Sequence, residues 1–135
     1  MILKKLKLNG TRQCACGSAQ SFDACCGQWL DGLAMGRHAS SPEILMRSRY
    51  SAYVLGDIAY LMATWHPSTA PGELELPPTQ WVSLRILHVE QSLEAGVVEF
   101  LAIYKVNGKA AKMHEVSRFS FENGRWLYID GQIAE

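Results

Sequence analysis

The hydrophobic pattern of this chain changes character near residue 80. Beyond that point, "QWVSLRILHVEQ", "GVVEFLAIYKV", "KAAKMHEVSRFSF" and "RWLYIDGQI" are rich in β-branched and aromatic residues, the pattern of β-strands. Before it, "ASSPEILMRSRYSAYVLG" reads as a helix: Ser41 supplies the N-cap, Pro42 fits the first helical position and Gly56 closes the last turn. Asp57 caps a second, shorter helix through "IAYLMATW", which Pro67 stops. Between the helices and the strands lies "PSTAPGELELPP", a proline-punctuated loop. Helices followed by a sheet predict an α+β domain.

The turns set the register of the last three strands. Asn107-Gly108 and Asn123-Gly124 are two-residue hairpin signals and predict an antiparallel meander. If Val106 faces Lys109, then Phe100 lies opposite Glu115 and Ala102 opposite Met113. If Glu122 faces Arg125, then Phe119 lies opposite Tyr128 and Ser117 opposite Asp130. Alternate residues share a face. Val98, Phe100, Ala102, Tyr104, Met113, Phe119, Phe121, Trp126 and Tyr128 therefore form a mostly apolar surface for the helices to cover. Glu115, Ser117 and Asp130 interrupt it.

Charge excludes some partners. The 135 residues carry 13 Lys and Arg against 13 Asp and Glu, a balance that gives no bulk attraction to nucleic acid or anionic lipid. Hydrophobic residues make up 48% of the chain, enough to build a core without disulfides. The opening "MILKKLKLNG" holds lysines but no apolar run of signal-peptide length. No stretch approaches the roughly 18 apolar residues of a membrane span. The expectation is a soluble cytoplasmic protein, whose thiols stay reduced.

All four cysteines fall within "CACGSAQSFDACCG". Cys14 and Cys16 are followed by eight residues and then by the adjacent pair Cys25 and Cys26. Four thiolates in so short a segment can surround one Zn²⁺ tetrahedrally, with bonds of about 2.3 Å. The competing readings are a disulfide pair and four free core cysteines. A reducing compartment argues against the first and clustering against the second. With sulfur at all four positions no place is left for water or substrate, so such a zinc is structural. Without it, residues 10–36 are expected to be disordered. Gly17 permits the turn after Cys16, and Ser18 and Asp23 are turn and cap residues. Cys25 and Cys26 are thus expected to begin a helix through "GQWLDGLAM". Trp29, four residues beyond Cys25, is expected to pack this segment onto the main domain.

The string "C-A-C-G-S … C-C-G" resembles the SEC-C motif, best known from the C-terminal tail of the translocation ATPase SecA. The resemblance implies that the matching positions, Cys14, Cys16, Cys25 and Cys26, bind zinc. Ala15 stands where that motif usually has proline, and "AQSFDA" where it is lysine-rich. From Gln13 to Gly36 there is no Lys or Arg, and a nucleic-acid contact by this segment is not expected. A second resemblance covers nearly the whole chain. "LMRSRYSAYVLGDIAYLMATWHPST" and "HEVSRFSFENGRWLYIDG", joined to an N-terminal SEC-C motif, look like the YchJ family of bacterial proteins. That resemblance implies a nuclear transport factor 2-like fold, a curved sheet wrapped by helices into a cone. It divides the chain into a zinc-binding segment, 1–36, and a cone domain, 37–135. It implies no activity, because the fold hosts isomerases, dehydratases and binding proteins alike.

The candidate pocket follows from the polar interruption. Glu115 and Asp130, on neighbouring strands, stand in a diagonal relation spanning roughly 7–8 Å between α-carbons. With Ser117, Tyr104 and His66 they form a conceivable acid–base set for an isomerase or lyase. Arg47 and Arg49 come from the covering helix, and either can instead form an ion pair with Glu115 or Asp130 that clamps helix to sheet. The ion pair is the preferred reading. His88 and His114 fall on the opposite sheet face, which is solvated. The expected function is therefore binding rather than catalysis: a structural zinc knuckle on a cone that contacts another protein or captures a small apolar ligand, with no nucleic acid and no membrane.

Overall fold

The computed structural model describes residues 12–134. The lysine-bearing opening stretch, the start of the expected 1–36 segment and Glu135 lie outside the described residues.

An isolated antiparallel bridge between Gln13 and Ser21 closes the first loop. Helix α1, Gly27–Leu30, follows with Cys26 at its N-cap position, and a 3₁₀ turn spans Leu33–Met35. The expected single helix through "GQWLDGLAM" is therefore broken in two. Helix α2, Pro42–Leu55, begins and ends as its caps dictate: Ser41 Oγ accepts from the Ile44 N–H at 3.1 Å, and Gly56, at φ 74°, donates its N–H to the Ala52 and Tyr53 carbonyls. Helix α3, Ile58–Ala63, is capped by Asp57, which accepts from the Tyr60 N–H at 3.0 Å.

The four strands β1 (Gln80–Gln91), β2 (Ala95–Val106), β3 (Lys109–Glu122) and β4 (Arg125–Ile133) form an antiparallel meander in that order. Asn107 and Asn123 both sit at φ 53° with a left-handed glycine after them, the geometry that two-residue hairpins require. The β2–β3 register places Phe100 opposite Glu115 and Ala102 opposite Met113, as predicted. The chain after α3 runs along the free edge of β4. There Tyr128 donates its N–H to the Thr64 carbonyl at 2.8 Å, and the His66 N–H donates to the Tyr128 carbonyl at 2.7 Å, so the edge is covered.

One predicted pairing is corrected. In the β3–β4 ladder Phe119 faces Tyr128, but Arg118 faces Asp130 and Ser117 faces Gly131. Ile129 is an extra residue, a β-bulge that reverses the facing of everything beyond it. Two further irregularities in β1, at Val82 and Leu87, add to the curvature of the sheet. The concave face carries Val98, Phe100, Ala102 and Phe119, each at most 3% exposed. Helix α2 packs on this face. Cys14, Cys16, Cys26 and Leu30 belong to the same buried cluster as Leu45, Leu61 and Phe119. Trp29 is half-buried and packs against that cluster. Among the described residues no helix is long and apolar enough to cross a membrane.

Candidate functional site

Two features carry chemistry. The first is the cysteine cluster. The four Sγ atoms lie within 4.8 Å of one another, with Cys16 and Cys25 at 3.6 Å and Cys25 and Cys26 at 4.0 Å. Ligands on a tetrahedral ion with bonds of about 2.3 Å stand about 3.8 Å apart. The donor set therefore fits a metal ion. Polar neighbours support it from outside: Ser18 Oγ donates to Cys25 Sγ at 3.1 Å, and Ser51 Oγ lies 3.5 Å from Cys14 Sγ. Hydrogen bonds from Cys16 and Cys26 hold the Cys14 thiol far below its ordinary pKa. Its own hydrogen bonds to Cys14 and Cys16 push Cys26 far above, and burial raises Cys25. Thiolates this close repel one another, and a bound cation offsets that repulsion.

The cluster is docked on α2. Arg47 Nη1 donates to the Cys16 carbonyl at 2.7 Å and lies 3.9 Å from Cys16 Sγ, while its Nε donates to Glu43 Oε2 at 3.0 Å. On the other side Gly17, at φ 86°, presses against β1. A Cβ there would come within 2.9 Å of the Leu84 carbonyl oxygen.

The second feature is a cavity of about 390 Å³ between the concave sheet face and α2. The helix contributes Met46, Arg49, Tyr50 and Tyr53, a stripe at i, i+3, i+4 and i+7. Trp81 joins Tyr50, Tyr53 and Tyr104 in one aromatic cluster, with ring centroids 5.5–5.9 Å apart. The proline-punctuated segment adds Leu76, Pro77 and Thr79. Glu115 and Ser117 face the cavity, and Ser117 Oγ donates to Glu115 Oε2 at 2.9 Å. Gly131 lies so close to this carboxyl that a Cβ would overlap it.

The predicted site residues divide accordingly. Tyr104, Arg49, Glu115 and Ser117 line the cavity; Asp130, Arg47 and His66 do not. The bulge turns Asp130 to the outer face, where Arg118 holds it through two bonds of 2.7 Å. That contact keeps its carboxyl below the usual range. Arg47 belongs to the cysteine cluster. His66 hydrogen-bonds Glu122 at 2.9 Å, beside the covered edge of β4. The expected ion pair between helix and inner face is absent among the described residues, since none of the ion pairs joins Arg47 or Arg49 to Glu115 or Asp130. Arg49, only 2% exposed, donates from Nη1 to the Leu61 carbonyl at 2.8 Å and to Thr64 Oγ1 at 2.7 Å. Its guanidinium lies 4.4 Å from the Tyr128 ring centroid and 4.9 Å from that of Trp65. Sequence reasoning missed Tyr50 and Tyr53 as cavity residues. The i, i+3, i+4, i+7 stripe was the signal that finds them. His88 and His114 pair with Glu90 and Glu99 on the outer side, as expected.

Comparison with known proteins gives this architecture its relatives. A family model described as "YchJ, middle NTF2-like domain" matches residues 41–131. A UPF0225 protein of Cupriavidus metallidurans is 46% identical, covering 93% of this chain and 92% of its own. One of Streptomyces coelicolor is 40% identical, covering 93% of this chain and 98% of its own. The solution structure of a SEC-C motif containing protein from Rhodopseudomonas palustris superposes with a TM-score of 0.77 at 35% identity, covering 91% of this chain and 99% of that one. The crystal structure of a SEC-C motif containing protein from Psychrobacter arcticus gives 0.79 at 25% identity, covering 95% and 86%. A cysteine cluster seated on a cone of this fold, with a family match over most of its length, identifies the chain as a member of the YchJ (UPF0225) family.

Proposed function

We propose that this protein binds a small molecule in the cone, and that the cysteine cluster holds one structural zinc ion. The observation that carries the first half is the cavity itself. Phe100, Tyr104, Trp81 and Tyr128 ring the concave face, yet about 390 Å³ stays open between them. That volume falls in the range of small-molecule sites, which pair apolar and aromatic walls with a few placed polar groups. Arg49, Glu115, Ser117 and Thr79 supply those groups. Sulfur at all four corners of the cluster favours zinc and leaves no coordination place for a reactant. Binding is favoured over turnover because the acid–base pair has lost Asp130 to the outer face.

Native mass spectrometry of the reduced, gently purified protein tests both halves. The expected result is one zinc per chain together with a discrete small-molecule mass. A chain without zinc overturns the metal assignment. A cavity that acquires no small molecule overturns the binding assignment; the signs are an unchanged mass and unchanged tryptophan fluorescence across a ligand set.

A further inference from the structure

We propose that the ligand of the cavity is a small organic anion, its acidic group held by Arg49 and its apolar body lying against the aromatic walls. This rests on the ligand-binding reading above and adds the charge and orientation of the ligand.

Arg49 is the buried charged side chain among the described residues; the other buried polar side chains there are Ser and Thr. A guanidinium so deep normally has a carboxylate beside it, because an unpaired buried charge is costly. None of the ion pairs among the described residues includes Arg49. Its protein partners are neutral: the oxygens of Leu61 and Thr64, the nearby Tyr53 hydroxyl and two aromatic faces. Both oxygens are bound through Nη1, whereas guanidinium carries N–H groups on three nitrogens. The Tyr53 hydroxyl is the one further neutral polar group beside the guanidinium, and no carboxylate of the described residues meets Nε or Nη2, while the side chain lines the cavity. Burial costs the cation free energy and lowers its pKa, and an incoming anion recovers that cost.

The cavity is polar at two different places. Glu115 is engaged by Ser117 and lies beyond ion-pair distance of Arg49. Tyr128 senses both: burial and Glu115 raise its hydroxyl pKa, and Arg49 opposes them. An acidic group therefore has one favourable seat, at Arg49. The fork of N–H donors there matches a planar carboxylate. The space and its aromatic walls accommodate a body of at least one ring.

The test is a charge series on one ring. Benzoate, benzyl alcohol and benzylamine are titrated into the reduced, zinc-containing protein, followed by tryptophan fluorescence and calorimetry. Benzoate is expected to bind at least about tenfold tighter than the alcohol, with the amine weakest. Arg49→Lys keeps the charge but loses the fork, and is expected to reduce benzoate affinity several-fold. Glu115→Gln, which preserves an acceptor for Ser117, is expected to strengthen it. Should Arg49→Lys fail to fold, the wild-type series still decides. Equal or tighter binding of the alcohol overturns the anion assignment while leaving a ligand-binding cavity. Tightest binding of the amine overturns it in favour of Glu115 as the anchor. No binding of any of the three overturns both readings.

Discussion

Replacing Arg47 with methionine tests how the cysteine cluster is coupled to α2. Met keeps the apolar stem that packs along α2 and removes only the guanidinium. Three contacts are lost, the weakest being the 3.9 Å approach of Nη1 to Cys16 Sγ. The Nε–Glu43 pair is an i, i+4 contact with the carboxylate side chain 40% exposed, and such pairs contribute only about 0.3–0.5 kcal/mol. The Nη1 bond to the Cys16 carbonyl, at 2.7 Å, is a short bond to a charged donor, and such bonds contribute about 1.5–3 kcal/mol. Its site is partly open to water, which places the total near the low end, at about 2 kcal/mol. By linkage, docking energy that only the metal-loaded segment can use appears as metal affinity. About 2 kcal/mol corresponds to roughly 30-fold weaker zinc binding. Competition against a zinc-binding chromophore under reducing conditions measures this directly. Glu43→Gln is the control, since it leaves the Cys16 bond and should change affinity by no more than about twofold. Zinc affinity within twofold of wild type in Arg47→Met would refute the argument that this side chain couples the cluster to the helix.

Other outcomes follow from the same geometry. Asn123 holds φ 53° at the β3–β4 turn. Asn123→Ala should therefore lower stability by about 1 kcal/mol while Asn123→Gly should not, as read from urea midpoints. Gly131→Ala places a Cβ on the Glu115 carboxyl. It should cost about 1–3 kcal/mol in a thermal melt and break the Ser117 bond. Burial pushes the Tyr50 and Tyr60 hydroxyls up to about 12. Because folding raises these values above the ordinary 10, the associated stability is complete below pH about 10 and is lost as pH rises towards 12. Phenolate absorbance should show these two tyrosines, and Tyr128, which burial raises as well, titrating only as the protein unfolds. Chelation of the proposed zinc should expose the backbone amides of residues 12–36 to hydrogen exchange while those of β2 and β3 stay protected.

What was legible in the sequence was whatever one or two residues decide locally. Ser41, Pro42 and Gly56 bound α2 because capping is a property of the end itself. Asn107-Gly108 and Asn123-Gly124 set the hairpins because few other residues take left-handed backbone cheaply. The cysteine cluster was legible because thiol spacing is short-range information. The bulge at Ile129 was not, because "YIDGQI" alternates equally well in either register. Gly131 was its one trace, an isolated glycine in a strand where another side chain approaches. That single inserted residue moved Asp130 off the inner face and dissolved the expected carboxylate pair. The partners of Arg49 were equally hidden. They depend on how α3 ends beside β4, which no spacing within α2 encodes.

The two functional features meet on one helix, and its periodicity explains how they stay distinct. Positions 43, 47 and 51 of α2 face the cysteine segment: Arg47 binds Cys16, and Ser51 touches Cys14. Positions 46, 49, 50 and 53 face the cavity. Between the two stripes, Ser48 Oγ meets the Tyr60 hydroxyl at 2.7 Å and ties α2 to α3. The cysteine segment also rests on β1 at Leu84 through Gly17, and Leu84 pairs with Ala102, a residue of the cavity wall. The segment thus braces from outside both elements whose inner sides form the cavity. Helix α2 buries Leu45, Ser48, Ser51 and Ala52 against its neighbours, while Met46, Arg49, Tyr50 and Tyr53 border the open space. The cysteine segment, held to α2 through Arg47 and Ser51, adds contact on that side of the helix without occupying the cavity.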